Sequence, residues 1–140
     1  MHQILFLGDP ADVADLEADE SPVEAFPCMS SQQFHREARA QLYALVMGTF
    51  LDEALDLEIL ERMLTEEGPC IYRLENLLLQ RLGELDEGEA EALALEWCTC
   101  EEIEQLDLET NDLLGFLFLL VHFCQTAVND DLSLYIYSDL

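Results

Sequence analysis

LLGFLFLLVHFCQTAVNDDLSLYIY, residues 113–137, joins a long apolar segment to a polar turn and a second apolar run. The first part is apolar on nearly every helical face, which is typical of a central core helix, and we expect that helix at about 111–128. Three polar residues, 129–131, then turn the chain into LSLYIY (132–137), whose β-branched and aromatic residues favour a strand. The apolar part, 113–124, is too short to span a bilayer.

The other end of the chain predicts a matching strand. HQILFL (2–7) is an apolar run that stops at Gly8, Asp9 and Pro10, and two short strands need a partner to be stable. We therefore expect the two terminal strands to pair. The stretch 9–27 has seven acids, three prolines and weak periodicity, which predicts an exposed loop with room for one helical turn.

Helical spacing and capping signals predict the elements between the two terminal strands. Ser30 with Gln33 forms a capping box for a helix that ends at Gly48, with Thr110 or Asn111 as the cap of the last helix. Two further helices are predicted at 51–65 and 69–83, because Gly68 and Pro69 break the first and start the second. Asp86 with Glu89 caps another, and Thr99 with Glu102 signals a short helix from Cys100. The predicted fold is a single domain, 1–140, of the α+β class: mainly helical, with about five helices and short N- and C-terminal strands.

Charge is the extreme feature of the composition. The 140 residues include 31 Asp and Glu against five Arg and no Lys, for a formal charge of -26, while 51% of residues are apolar. So negative a surface repels nucleic acid and anionic membranes, so we expect direct binding to neither. A basic protein is the expected partner. The start of the chain lacks the basic region of a secretory signal, and we expect a cytoplasmic protein.

Candidate chemistry is weak, so we expect no enzyme, no cofactor and no metal. A calcium loop beginning at Asp107 would place Asp112 where glycine is required and Phe118 where a bidentate glutamate is required. Cys98, Cys100, His122 and Cys124 have the ligand types for zinc, but their spacing is poor and core packing of the thiols explains them as well. The sequence lacks the G-x-S-x-G, P-loop and G-x-G-x-x-G motifs.

The acidic run from Glu84 to Asp112 is the predicted binding region. It holds twelve Asp or Glu and no basic residue. A solvated surface is the simpler explanation of such a run, but solubility needs a net charge of only about 2 to 8. The acidic 9–24 loop is a further candidate contact. Trp97, Tyr72, Tyr135 and Tyr137 are candidate aromatic anchors, with packing in the core as the alternative for each. The predicted partner-binding residues are Glu84, Glu87, Glu91, Trp97, Glu101, Glu102, Glu104, Asp107, Glu109 and Asp112.

Taken whole, the chain resembles the small acidic bacterial immunity proteins encoded beside interbacterial (type VI or contact-dependent) toxins. The resemblance rests on size, on LDEGEAEALALEWCTCEEIEQLDLETND (85–112) feeding an apolar helix, and on the terminal LSLYIYSDL (132–140). It implies one-to-one binding of a basic cognate toxin or effector, commonly by covering its active site, with no catalytic residue of its own. The apparent strands at both ends depart from the all-helical nuclease-immunity bundles.

Two other classes of function stay open. A chaperone of the type III secretion kind is similar in length and acidity, but acts as a dimer and binds an unstructured effector segment. A DNA-mimic inhibitor would use carboxylates in place of phosphates and compete with DNA for several basic proteins. An immunity protein would instead have one tight partner.

Overall fold

The computed structural model of the chain describes residues 2–15, 26–30, 34–63, 66, 69–105 and 109–139. Its strands are β1 (His2–Gly8), β2 (Cys28–Ser30), β3 (Glu58–Met63), β4 (Cys70–Leu74) and β5 (Ser133–Asp139). Its helices are α1 (Pro10–Ala14), α2 (Arg36–Met47), α3 (Leu51–Leu55), α4 (Asn76–Gly83), α5 (Glu87–Trp97), α6 (Glu101–Glu104) and α7 (Thr110–Asp130).

The strands form one five-stranded antiparallel sheet in the order β2-β1-β5-β4-β3. The predicted pairing of the two terminal strands is confirmed, because β1 and β5 pair along their whole length, from His2 opposite Asp139 to Gly8 opposite Ser133. The predicted fold class is wrong. The described residues form an α+β fold in which β2, β3 and β4 extend the terminal pair into a full sheet, so strands are not confined to the chain ends.

Two predicted helices account for most of that error. The segment predicted as helix 51–65 is a short helix, α3, followed by strand β3, and the segment predicted as helix 69–83 is strand β4 followed by helix α4. Pro69 therefore precedes a strand. On a helix over 51–65, Leu60 and Met63 would share one apolar stripe, but in the structure they are 52% and 48% exposed on the edge strand. A strand of five or six residues is too short for its apolar spacing to be told from that of a helix.

Helices α2, α4, α5 and α7 cover one face of the sheet and enclose the main core. Alternate residues of the strands enter this core, including Leu5 and Leu7 of β1 and Leu134 and Ile136 of β5. That alternation is the period of two that a strand imposes. Helix α7 contributes seven buried residues to the main core, which confirms the expectation of a central apolar helix; they are Leu113, Phe116, Leu117, Leu120, Val121, Cys124 and Ala127.

The opposite face of the sheet carries a smaller apolar cluster under α1. Phe6, Ile71 and Tyr135 point to this face, and Val13 of α1 packs against them. Gly8 permits the close approach of α1, since a Cβ on Gly8 would lie 2.7 Å from Val13 Cγ2. This helix is the single turn expected in 9–27, whereas residues 16–25 lie outside the described part.

The helix ends show which capping signals were informative. The box of Asp86 with Glu89 is confirmed at the start of α5, and Gly48 ends α2 in the left-handed conformation with φ 64°. Ser30 lies in β2 and is no cap, because α2 begins after His35, whose Nδ1 accepts a hydrogen bond from the Ala38 N–H. Cys100 and Glu109 precede α6 and α7 without a side-chain cap.

Helix α7 is longer than its apolar segment suggested. Among the described helices, α7 (Thr110–Asp130) alone has the length and composition to cross a membrane. Of the apolar stretch that meets this criterion, 44% is buried inside the fold. A core helix passes the same test. The buried side of α7 lies at the centre of the main core.

Candidate protein-binding face

The predicted carboxylates lie on three consecutive elements, α5, α6 and the start of α7. Glu84, in the turn before α5, and Glu87 and Glu91 on α5 are exposed. The same holds for Glu101 and Glu104 on α6 and for Glu109 and Asp112 where α7 begins. Glu102 belongs to α6 by its backbone, while its side chain and all of Asp107 lie outside the described residues.

Trp97 is not available to a partner. Its side chain is completely buried, its indole Nε1 donates a hydrogen bond to the Ala38 carbonyl at 2.9 Å, and its ring stacks on Phe34 at 5.2 Å. The indole therefore holds α5 to α2. This corrects the prediction that Trp97 is an anchor, because aromatic residues in cores and in interfaces look the same in a sequence.

The three candidate tyrosines differ in burial. Tyr135 is buried in the outer cluster, while Tyr72 and Tyr137 are half-buried. The guanidinium of Arg36 lies over the Tyr72 ring at 5.7 Å from its centroid. None of these rings lines the acidic helices, so apolar contact there must come from other residues.

A groove between α4 and α5 supplies such residues. Both helices pack on α2 and α7, and the space left between them is a groove of about 650 Å³. Leu45 and Val46 of α2, Leu77 of α4, and Ala92 and Leu93 of α5 give it apolar walls. A helix over 69–83 would bury Leu77 with Leu74, Leu78 and Leu82; in the structure those three are buried, but Leu77 is 47% exposed.

The rim of this α4–α5 groove is acidic. Glu84, Glu89 and Glu96 line it, against Arg81 as its one basic residue. Within the described part of the chain, the arginine ion pairs join Arg39 to Glu58 and Arg73 to Glu61. Neither pair involves α5, α6 or α7, so the described carboxylates of that region face solvent without an arginine partner.

Not all predicted carboxylates face the groove. Glu84 does, but Glu87 lies beside α7 in a smaller cleft with Phe118 and Gln125. Glu91 is four residues from Glu87 and therefore on the same side of α5, about opposite Glu89 and Glu96. The predicted carboxylates therefore do not form one site. They lie on several sides of the acidic helices, and one of these sides contains the groove.

A buried polar network that the sequence did not predict lies at the other end of α2. Arg39 is 1% exposed and makes a bidentate pair with Glu58 of β3, with Nε to Oε2 at 2.7 Å and Nη2 to Oε1 at 2.9 Å. The Tyr43 hydroxyl donates to the same carboxylate at 2.6 Å, and Arg39 also donates to the Phe34 carbonyl and to Gln3. The available signal was Arg39 itself, three residues before Leu42 on the apolar stripe of α2.

The charge states of this network indicate a structural role. Burial opposes the charge on Arg39, but the hydrogen bonds and charge of Glu58, together with Tyr43, outweigh it and raise the guanidinium pKa. Burial, followed by the negative charge of Glu58, raises the pKa of Tyr43 well above its ordinary value. Arg39 therefore stays charged and Tyr43 stays neutral, and the hydrogen bonds of both side chains to Glu58 fasten α2 to β3.

The proposed zinc ligands are not brought together. Cys124 is buried in the main core, where burial raises the pKa of its thiol, whereas His122 is exposed on α7. The Cys98 thiol donates to the Leu95 carbonyl at 3.0 Å. Across the described ranges, no group of three or more His, Cys, Asp or Glu is placed to hold a metal ion.

Comparison of the chain with models of protein families, with curated protein sequences and with solved structures finds no match. Function must therefore be inferred from the exposed surface of this chain. Two features of that surface are distinctive: the exposed carboxylates among the described residues of α5 to α7, and the apolar groove that some of them border.

Proposed function

We propose that this chain binds a basic protein in a one-to-one complex and inhibits it, as an immunity protein binds its cognate toxin. The observation that supports this most is the α4–α5 groove, where exposed apolar side chains lie inside a rim of Glu84, Glu89 and Glu96. Charge alone could serve solubility, and an apolar groove alone could remain vacant. Together they have the composition of a docking surface: an apolar centre with a polar rim.

The excess of negative charge supports the same proposal. A formal charge of -26 is several times the value of about 2 to 8 that keeps a small domain soluble. Like charges closer than the Debye length, about 8 Å in physiological salt, repel one another and destabilise the folded chain. A cationic partner offsets that repulsion and is attracted over long range, which speeds association by about 10 to 1,000-fold.

The groove favours a protein partner over a DNA-mimic role. A DNA mimic works through carboxylates placed like phosphates, and does not require an exposed leucine such as Leu77 between them. Inhibition by covering an active site requires no catalytic group in the inhibitor, only a tight and specific contact. The inhibitory role itself comes from the resemblance to immunity proteins.

Tandem affinity purification from the source cells tests the proposal. The tagged chain is expected to retain one basic protein at a one-to-one ratio, and that protein, expressed alone, should arrest growth of a host that survives when both are expressed. Recovery of several unrelated basic proteins, displaced by DNA, would favour the DNA-mimic alternative. Growth arrest that co-expression leaves unchanged would contradict inhibition.

A further inference from the structure

We propose that the α4–α5 groove receives an amphipathic, basic α-helix of the partner protein. The proposal names the occupant of the docking surface and so rests on the proposed function for the identity of the partner. The geometry of the groove can nevertheless be tested with a synthetic helix. It is argued from the spacing of the wall residues, from their exposure and from the charge of the rim.

Both walls of the groove present the same helical spacing. The α4 side contributes positions 77, 80, 81 and 84, and the α5 side contributes positions 89, 92, 93 and 96. In each case the intervals are three, four and seven residues, the positions that form one continuous stripe along a helix. Two such stripes face each other across a floor made by Leu45 and Val46 of α2.

The length of these stripes fits two turns of a third helix. Seven residues of helix rise about 10 Å at 1.5 Å per residue, and a helix with its side chains is about 10 Å wide. A helix lying in the groove would place one apolar residue per turn against Leu77, Ala92 and Leu93. Insertion of an apolar helical stripe into an apolar groove is a recurrent mode of peptide recognition.

The negative charge of the rim favours an occupant that is positively charged. Glu84 and Glu89 flank the end of the groove nearest the 84–86 turn, and Glu96 flanks the other end. Arg81 reduces the negative charge but does not cancel it, since three carboxylates line the rim. Lysine and arginine beside the apolar stripe of the occupant would therefore meet carboxylates at both ends. A second copy of this chain fits poorly, because each copy carries a formal charge of -26.

The chain itself provides a matched pair of leucines for the test. Leu77 lies in the groove and is 47% exposed, while Leu95 lies on α5 outside it and is 60% exposed. Glutamine at either position replaces an exposed apolar side chain with a polar one and leaves the core intact. Glu96, in the groove, and Glu91, on the other side of α5, form a second pair for replacement by glutamine.

Fluorescence anisotropy with a labelled 18-residue peptide of Leu, Lys and Ala, with leucines at helical spacing, measures occupancy of the groove. A control peptide of the same composition has its leucines scrambled. We expect the patterned peptide to bind the full chain more tightly than the control. Leu77→Gln should weaken it about tenfold and Glu96→Gln severalfold, with Leu95→Gln and Glu91→Gln close to wild type.

The two peptides and two pairs of variants separate the outcomes. Equal binding of both peptides would mean attraction by charge alone and would overturn the proposal. Equal effects of Leu77→Gln and Leu95→Gln would overturn it too, provided circular dichroism shows both variants folded. If the purified basic partner binds the Leu77→Gln chain as tightly as wild type, the groove is not its site, yet the proposed function stands.

Discussion

The arginines of this chain illustrate how strongly surroundings decide what a side chain contributes. Arg39 and Glu58 are almost fully buried, whereas Arg73 and Glu61, with N to O at 2.6 Å, are 24% and 38% exposed. An exposed pair is screened by water and contributes little. A buried pair has lost its hydration, so each charge depends on the other.

Removal of one buried charge should therefore be costly. Glu58→Gln leaves the Arg39 guanidinium buried without a counter-charge, and we expect the free energy of unfolding to fall by about 3–5 kcal/mol. Glu61→Gln is the control, with an expected loss of about 1 kcal/mol or less. Urea unfolding followed by circular dichroism measures both. Similar losses in the two variants would show that the Arg39 network adds no more than a surface pair.

High pH should destabilise the protein through Tyr43 and Cys124. Both groups have raised pKa values in the folded chain because burial disfavours their charged forms, from ordinary values of 10.0 and 9.0. Below pH 9 the folded and unfolded chains hold the same protons on these groups. Above pH 9 to 10 the unfolded chain ionises first, so stability should fall by about 1.4 kcal/mol per pH unit for each group.

Urea midpoints between pH 8 and pH 10.5, in reducing buffer, measure this decline. Tyr43→Phe removes a titrating group and should make the decline shallower, although the variant is less stable at pH 8 because Glu58 loses a donor. An unchanged slope in Tyr43→Phe would show that Tyr43 does not cause the alkaline loss.

Helix α5 depends on its first turn, because its acidic residues suit the start of a helix and no basic residue lies in its last turn. The Asp86 carboxylate accepts a hydrogen bond from the Glu89 N–H at 2.7 Å, and Glu89 completes the capping box. Asp86→Ala should lower the free energy of unfolding by about 1 kcal/mol. Thermal unfolding measures it, with Glu91→Ala, outside the cap, as the control; a larger loss in the control would contradict the assigned cap.

Sequence patterns predicted the long elements well and the short strands poorly. Helices α2, α5 and α7 have enough turns for their apolar spacing to be recognised, and β1 and β5 are rich in aliphatic and aromatic residues. Strand β3 is stabilised by pairing with β4, and β4 by pairing with β5, which lies more than fifty residues further along the chain. Such pairing overrides local propensity and leaves no local signal.

The candidate site was predictable in its charge and not in its shape. Exposure of Glu87, Glu91 and Glu101 follows from their positions on helices, and the structure places these three side chains in solvent. The α4–α5 groove arises from three elements whose packing the sequence does not encode locally. The one sequence feature that pointed to the groove is Leu77, an apolar residue of α4 that the core does not bury.

Considered as a whole, the molecule is asymmetric in charge. All five arginines lie between Arg36 and Arg81, and the twelve acids between Glu84 and Asp112 have no basic neighbour in sequence. Two of these arginines hold elements of the fold together: Arg39 binds Glu58, and Arg62 donates to the Val13 and Ala14 carbonyls at the end of α1. The part of the chain left without cations is the part proposed to meet a basic partner.

Stopped-flow association of the chain with its purified basic partner, over a range of NaCl concentrations, tests that claim most directly. We expect the association rate constant to fall steeply with salt, by about tenfold or more, and to fall at low salt when Glu101, Glu102 and Glu104 are all replaced by Lys. Replacement of Asp52, Glu53 and Asp56 on and after α3 by Lys makes the same change in net charge and should slow association less. A rate that is insensitive to salt, or equal in the two triple variants, would contradict the account.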